Sequence, residues 1–133
     1  QGRASLGGNL CNASPAADTV PALVAAGAIC LIAGPDGPRQ APVEQIATGP
    51  GQTSLKNGEF VVEFQFPRKS PHSGDAYLRF IPRTEMDIAV VGAGVSLTLD
   101  EAGVCKQARV SLGAVAPTVL LVDAAANALA HTD

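Results

Sequence analysis

Residues 88–115 read IAVVGAGVSLTLDEAGVCKQARVSLGAV, and this stretch decides the fold. Ile88 to Leu99 is apolar and rich in Val and Gly. Gly92 and Gly94 argue against a helix there, because each costs about 1 kcal/mol relative to Ala in a helix interior. Asp100-Glu101-Ala102-Gly103 then supplies turn chemistry. From Val104 to Val115, Ala108, Val110 and Leu112 alternate with Arg109 and Ser111. That period of two belongs to a strand with two unlike faces. Two such runs joined by a short turn predict a long antiparallel hairpin.

The reading extends outward from the hairpin. Upstream, Ala76, Leu78 and Phe80 alternate with Tyr77, Arg79 and Ile81, predicting a third strand. Downstream, Pro117-Thr118 leads into a predicted Ala-rich helix over Val122 to Ala130, with Leu121, Ala125 and Leu129 on one face. Phe60, Val62, Phe64 and Phe66 alternate with Val61, Glu63 and Gln65, so a strand with one aromatic face is expected between the Asn57-Gly58 turn and Pro67. Residues 68–74 are polar and contain Pro71, as a linker or hinge would.

Nearer the start, Ala28 to Ala33 suits a buried strand, Pro35-Asp36-Gly37 a turn, Arg39 to Ala41 the returning strand and Pro42 to Ile46 one helical turn. Asp18 to Ala26 reads as a short helix, with Asp18 or Ser14 as cap, Pro21 in the first turn and Gly27 as the stop. Ser5 to Ser14, SLGGNLCNAS, reads as a loop. Helices do not alternate regularly with strands, so the class is α+β rather than a doubly wound sheet. The expected division is 1–67, a linker at 68–75, and 76–133.

Composition narrows the function. The 133 residues are 47% hydrophobic and 16% charged, which excludes disorder as the main state. A formal net charge of -3 gives no basic field for nucleic acid or anionic membrane. No apolar run is long enough to span a bilayer. Fourteen glycines and ten prolines point to many turns. Cys11, Cys30 and Cys105 form no CxxC pair, so neither a zinc site nor a disulfide framework is expected. They read as small apolar residues of a reducing, cytoplasmic compartment. His72 and His131 have no partners at catalytic or metal-ligand spacing. Asp36, Glu44 and Glu101 read as solvated turn charges.

Ser5-Leu6-Gly7-Gly8-Asn9 is the sharpest local feature. Two glycines let a ligand approach the backbone and expose successive N–H groups, a nest for phosphate oxygens, while Ser5 and Asn9 add short donors. Taken alone, a Gly-Gly pair is weak evidence for a nest, and a plain turn explains it better. Neither a GxGxxG fingerprint nor a GxxxxGK[ST] loop is present.

The stretch ASLGGNLCNASPAADTVPAL (4–23) resembles the second FAD-binding segment of the flavoprotein subunits of molybdenum hydroxylases, the carbon monoxide dehydrogenase medium-chain and xanthine dehydrogenase family. GEFVVEFQFP (58–67), AYLRFIPRTEMDIAVVGAGVSLTLD (76–100) and ARVSLGAVAPT (108–118) resemble the same family in the same order. The resemblance implies the second half of a PCMH-type FAD-binding domain followed by a truncated C-terminal domain of antiparallel sheet and helix.

It also implies roles. Ser5, Gly7, Gly8 and Asn9 would wrap the FAD pyrophosphate. Asp18 would hydrogen-bond the FAD on its ribose side, where the residues alone suggest a helix cap. Phe60 and Val61 would line the flavin or adenine pocket, or serve only as strand core. Arg79 would sit near the isoalloxazine and stabilise the charge of reduced flavin, or be a solvated strand residue. Arg83, Glu85 and Asp87, beside Met86, would be structural or interfacial.

The implied activity is electron relay. A molybdenum-binding large subunit oxidises the substrate, [2Fe–2S] clusters of a small subunit pass the electrons on, and FAD delivers them to an acceptor. Homo-oligomer contacts are expected as well. The family's first FAD segment, an AGGT-like loop, and the end of its C-terminal domain are not in this sequence. The expectation is therefore that this length of chain alone binds FAD weakly or not at all, because the remaining contacts must meet the full ordering cost. A cofactor-free interaction module and a solitary FAD-dependent oxidoreductase remain as alternatives.

Overall fold

A computed structural model describes residues 4–83 and 87–132. Helix α1 spans Leu6–Cys11 and α2 Thr19–Ala25. Strands β1 (Ile29–Ala33) and β2 (Arg39–Pro42) precede a 3-10 turn at Val43–Gln45. Short strands β3 (Ala47–Gly49) and β4 (Gln52–Thr53) and the longer β5 (Phe60–Gln65) follow. The rest is β6 (Ser73–Phe80), β7 (Val91–Leu99), β8 (Cys105–Gly113), β9 (Leu120–Leu121) and α3 (Asp123–Leu129). The expected α+β class holds. Among the described residues three antiparallel sheets run β2-β1-β5, β3-β4 and β6-β7-β8-β9.

The β7–β8 hairpin forms as read, with Gly94 opposite Ser111 and Val95 opposite Val110. Other expectations need correction. Residues 6–11 are a helix, not a loop. Ser5 caps it by accepting the Gly8 N–H at 3.1 Å, and Leu10 is fully buried. Burying one Leu contributes about 2 kcal/mol, which offsets the roughly 1 kcal/mol each glycine costs. Asp18 stands at the start of α2 but does not cap it. Asn9 does so from α1, its Oδ1 accepting the Thr19 N–H at 3.1 Å and the Thr19 hydroxyl at 2.6 Å.

The aromatic face expected along β5 is broken. The register against β1 shifts so that Leu31 faces Glu63 while Ile32 faces Val61, leaving Val62 as the extra residue of a β-bulge. Phe64 and Val61 therefore both pack on the core, and Phe60 is 62% exposed. Strand β6 begins at Ser73, inside the stretch read as a linker. Leu121 lies in β9 rather than on α3, and no residue of α3 is buried.

Leu10, Leu23, Val24, Ile32, Val43 and Ile46 centre the core between α1, α2 and the three-stranded sheet. Helix α2 also lies on the four-stranded sheet. The Ser111 hydroxyl donates to the Pro21 carbonyl at 2.6 Å, and Arg109 donates to the Val24 carbonyl from Nε and Nη2 at 3.2 and 2.9 Å. A Cβ on Gly94 would stand 2.5 Å from the Pro21 oxygen, so only glycine allows this approach. One helix thus joins the two sheets, and a cleft opens along its flank.

Candidate functional site

The cleft lies between α2 and the edge strand β6 and measures about 510 Å³. That falls within the usual range for small-molecule sites. Leu6, Ala22, Leu23, Phe66 and Val95 give it an apolar wall, and Asp18, Thr19, Asp75 and Tyr77 give it a polar rim. The sheet register explains its open face. Tyr77 is opposite Gly94, and Arg79 is opposite Gly92. Opposite residues share a face, so two long side chains stand over two glycines toward α2. A Cβ on Gly92 would meet the Tyr77 hydroxyl at 2.7 Å.

Asp18 and Arg79 meet here. Arg79 Nη1 donates to Asp18 Oδ2 at 2.6 Å, and both side chains are largely shielded from solvent. Tyr77 Oη is buried beside them and has no hydrogen-bond partner among the described residues. Burial, and then the negative charge of Asp18, push the Tyr77 phenol up, while Arg79 pulls it down. The phenol is therefore a donor at neutral pH.

The predicted residues fall into two groups. Ser5, Gly7, Gly8 and Asn9 sit on α1, whose Leu6 lines the cleft. A Cβ on Gly7 would meet nothing within 4 Å, so that flank is open to a ligand. The hydroxyl oxygen of Ser5 and the amide oxygen of Asn9 are engaged in capping α1 and α2. The first-turn N–H groups of a helix have no partner within it. Asp18 joins α1 in lining the cleft, and Arg79 is tied to it through the ion pair with Asp18. Phe60 and Val61 do not line it. They stand at the start of β5, whereas Phe66 follows its end, about 20 Å from Phe60 and about 17 Å from Val61 at 3.3 Å per residue.

Sequence reading missed Phe66, Thr19 and Tyr77. Tyr77 had a usable signal. It is the single tyrosine of the chain, and it alternates in phase with Arg79.

Other candidates resolve as structure. Burial raises the pKa of Cys11, and burial together with nearby Cys11 and Glu44 pushes Cys30 to about 11, so both stay protonated thiols. All three cysteines are free. Glu44 is not a solvated charge, because it is half-buried and pairs with Arg109 at 3.3 Å. Arg83 pairs with Asp87 at 2.5 Å and lowers the pKa of its carboxyl. Glu85 and Met86 lie outside the described residues. Among the described residues no cluster of His, Cys, Asp and Glu is placed to hold a metal, and no helix is long and apolar enough to cross a membrane.

Comparison with known proteins bears on what such a cleft holds. Residues 1–69 match the FAD binding domain in molybdopterin dehydrogenase, and residues 76–133 match the CO dehydrogenase flavoprotein C-terminal domain. The chain is 35% identical over 116 residues to the xanthine dehydrogenase FAD-binding subunit of Escherichia coli O157:H7, covering 86% of this chain and 39% of that one. Carbon monoxide dehydrogenase from Hydrogenophaga pseudoflava superposes with a TM-score of 0.90 at 30% identity, over 98% of this chain and 45% of that one. Carbon monoxide dehydrogenase from Oligotropha carboxidovorans superposes at 0.88 and 29%, over 96% and 44%. The chain spans less than half the length of these relatives.

Proposed function

We propose that this chain, which belongs to the family of FAD binding domains in molybdopterin dehydrogenases, is part of the FAD-carrying subunit of a molybdenum-containing hydroxylase. The observation that carries this reading is the α2–β6 cleft. Its apolar wall suits a planar ring system, and its rim holds two carboxylates, Asp18 (paired with Arg79) and Asp75, and a phenol without a hydrogen-bond partner among the described residues. Those features fit one end of FAD. FAD held there would supply a redox relay between [2Fe–2S] clusters of a small subunit and an acceptor.

The chain's own residues position and tune. Leu6, Ala22, Leu23, Phe66 and Val95 exclude water from one face of the ring. Arg79 holds positive charge beside it, and the low local dielectric strengthens that charge toward an anionic edge. Tyr77 Oη offers a donor. The open flank of Gly7 and the N–H groups of Leu6 and Gly7 at the start of α1 receive the pyrophosphate, with Ser5 still able to donate its hydroxyl proton and Asn9 its amide protons. Asp18 orients Arg79 and offers its carboxylate to a ribose hydroxyl. Val61 belongs to the core, and exposed Phe60 stands too far away for this cleft.

On this reading the chain divides near residues 68–75, between the two matched lengths. Exposed Leu78, Phe80 and Ile88 support docking against further protein, including a molybdenum-binding large subunit, an iron–sulfur small subunit and copies of the subunit itself. The free thiols support a cytoplasmic location. The test is to purify the subunit that carries this chain and record its spectrum and metals. A flavin band with co-purified molybdenum and iron supports the reading. A colourless subunit that takes up no added FAD overturns it.

A further inference from the structure

A second, smaller cleft of about 170 Å³ opens at the other end of α2, where the connecting residues Pro67 to Ser70 cross the four-stranded sheet. Its cations are Arg68, Lys69 and Arg109, and no acidic residue lines it. Their donors are not used up. Among the described residues Arg68 makes no ion pair. Lys69 meets Asp75 through one of its three ammonium protons. Arg109 spends Nε and Nη2 on the Val24 carbonyl and Glu44, and its Nη1 has no partner among the described residues.

Hydroxyls complete the wall. Ser73 is opposite Thr98, and Ser96 is opposite Arg109, so they share the face on which α2 lies. Ser73 and Thr98 are linked at 2.9 Å. The partial negative charge at the end of α2 does not spoil the site, since Arg109 covers the Val24 carbonyl. Gly27, at φ +69, lets the chain turn away without a side chain, and a Cβ there would stand 3.7 Å from Arg109 Nε.

The size selects the ligand. Water occupies about 30 Å³ in the liquid, and sites for drug-sized molecules start near roughly 300 Å³. The cleft therefore takes a small polyatomic ion. Three guanidinium or ammonium groups with hydroxyl donors, and no carboxylate in the lining beyond the Asp75 and Glu44 that pair with Lys69 and Arg109 from outside it, reject a metal cation and suit tetrahedral oxygens. We propose that this cleft binds a phosphate-type oxyanion, either the free ion or the terminal group of a small ester. Bound there, the anion ties Arg68 and Lys69 of the connecting segment to Arg109 of β8 and so clamps the junction between the two sheets.

The test is a titration of the ¹⁵N-labelled chain with inorganic phosphate and, separately, with glycerol 3-phosphate, each against sodium chloride at matched ionic strength. The amides of Ser73, Ser96, Thr98 and Arg109 are followed. Saturable shifts are expected, weakened about tenfold in Arg68→Ser, the worth of one charge-assisted contact. They are expected to be unchanged in Lys106→Ser, which lies outside the cleft. Arg68 is exposed and makes no ion pair among the described residues, so its replacement leaves the fold intact. Saturation by both probes supports an ester end group, and saturation by phosphate alone supports the free ion. Shifts that never saturate, that chloride reproduces, or that survive Arg68→Ser overturn the proposal.

Discussion

Arg79 on β6 closes a 2.6 Å ion pair on Asp18 at the start of α2, across 61 residues of sequence. It fastens the edge of the four-stranded sheet to the helix that carries the core. The side chains are 23% and 18% exposed, which puts the pair between surface bridges worth under about 1 kcal/mol and buried ones costing about 3–5 kcal/mol to break. A double-mutant cycle with Asp18→Asn and Arg79→Gln is expected to give a coupling energy of about 1–2 kcal/mol in urea denaturation. Additive single effects would show that the pair holds nothing together.

Gly7 separates stability from binding. It is an interior residue of α1, and a Cβ there meets nothing. Gly7→Ala should therefore stabilise the fold by about 0.5–1 kcal/mol through helix propensity. If the α1 flank receives a pyrophosphate, the same methyl blocks close approach and FAD uptake by the whole subunit falls. Thermal melts and flavin titration of the one variant read both effects. A stabilised variant with undiminished uptake removes Gly7 from the site.

The hairpin was legible because alternation and glycine content agree over 88–115 and nothing competes with them. The same alternation misled at β5. A bulge at Val62 is one residue long and leaves no compositional trace, yet it sends Phe60 outward and Val61 inward. Ser5 to Cys11 misled in the opposite way. Local propensity favours a loop there, and only the burial of Leu10 by distant residues makes a helix. Asp18 and Arg79 came from a family resemblance, and their pairing with each other depends on how α2 lies on the sheet. Phe66 and Tyr77 line the candidate cleft only through that same packing.

Glu59 gives the fold an acid limit. Arg39 donates to both its oxygens at 2.8 and 2.7 Å, and the Lys56 N–H adds a third bond at 2.7 Å. The Arg39 hydrogen bond and then the Lys56 amide hold its carboxyl at about 2, below an ordinary 4.5. A depressed folded pKa contributes stability above the unfolded value and loses it as pH falls through the folded one. Stability should therefore decline between pH 4.5 and about 2, and Glu59→Gln should flatten that part of the profile. An unchanged slope in the variant would assign the acid sensitivity elsewhere.

Gly94 and Gly74 make a matched pair in one sheet. A Cβ on Gly94 would stand 2.5 Å from the Pro21 oxygen and 2.8 Å from Ser111 Oγ, while one on Gly74 meets nothing within 4 Å. Gly94→Ala forces α2 off β7 and should cost about 1–3 kcal/mol or more. Gly74→Ala should be neutral to slightly stabilising. Equal effects in urea denaturation would mean that α2 does not lie on the sheet as described.

Tyr77 tests the cleft from inside. Its hydroxyl is buried without a partner among the described residues, and an unsatisfied buried polar group costs about 1–3 kcal/mol. Tyr77→Phe keeps the ring and removes that cost, so the ligand-free protein should become more stable by about 1 kcal/mol. If the hydroxyl serves a bound flavin, the order reverses on loading. The variant subunit should then bind FAD less tightly and melt below wild type at saturating FAD, by the linkage between binding and stability. Melting curves with and without FAD therefore decide it. A variant more stable in both states would mean that the phenol is only a flaw in the packing, and the cleft would lose its polar anchor.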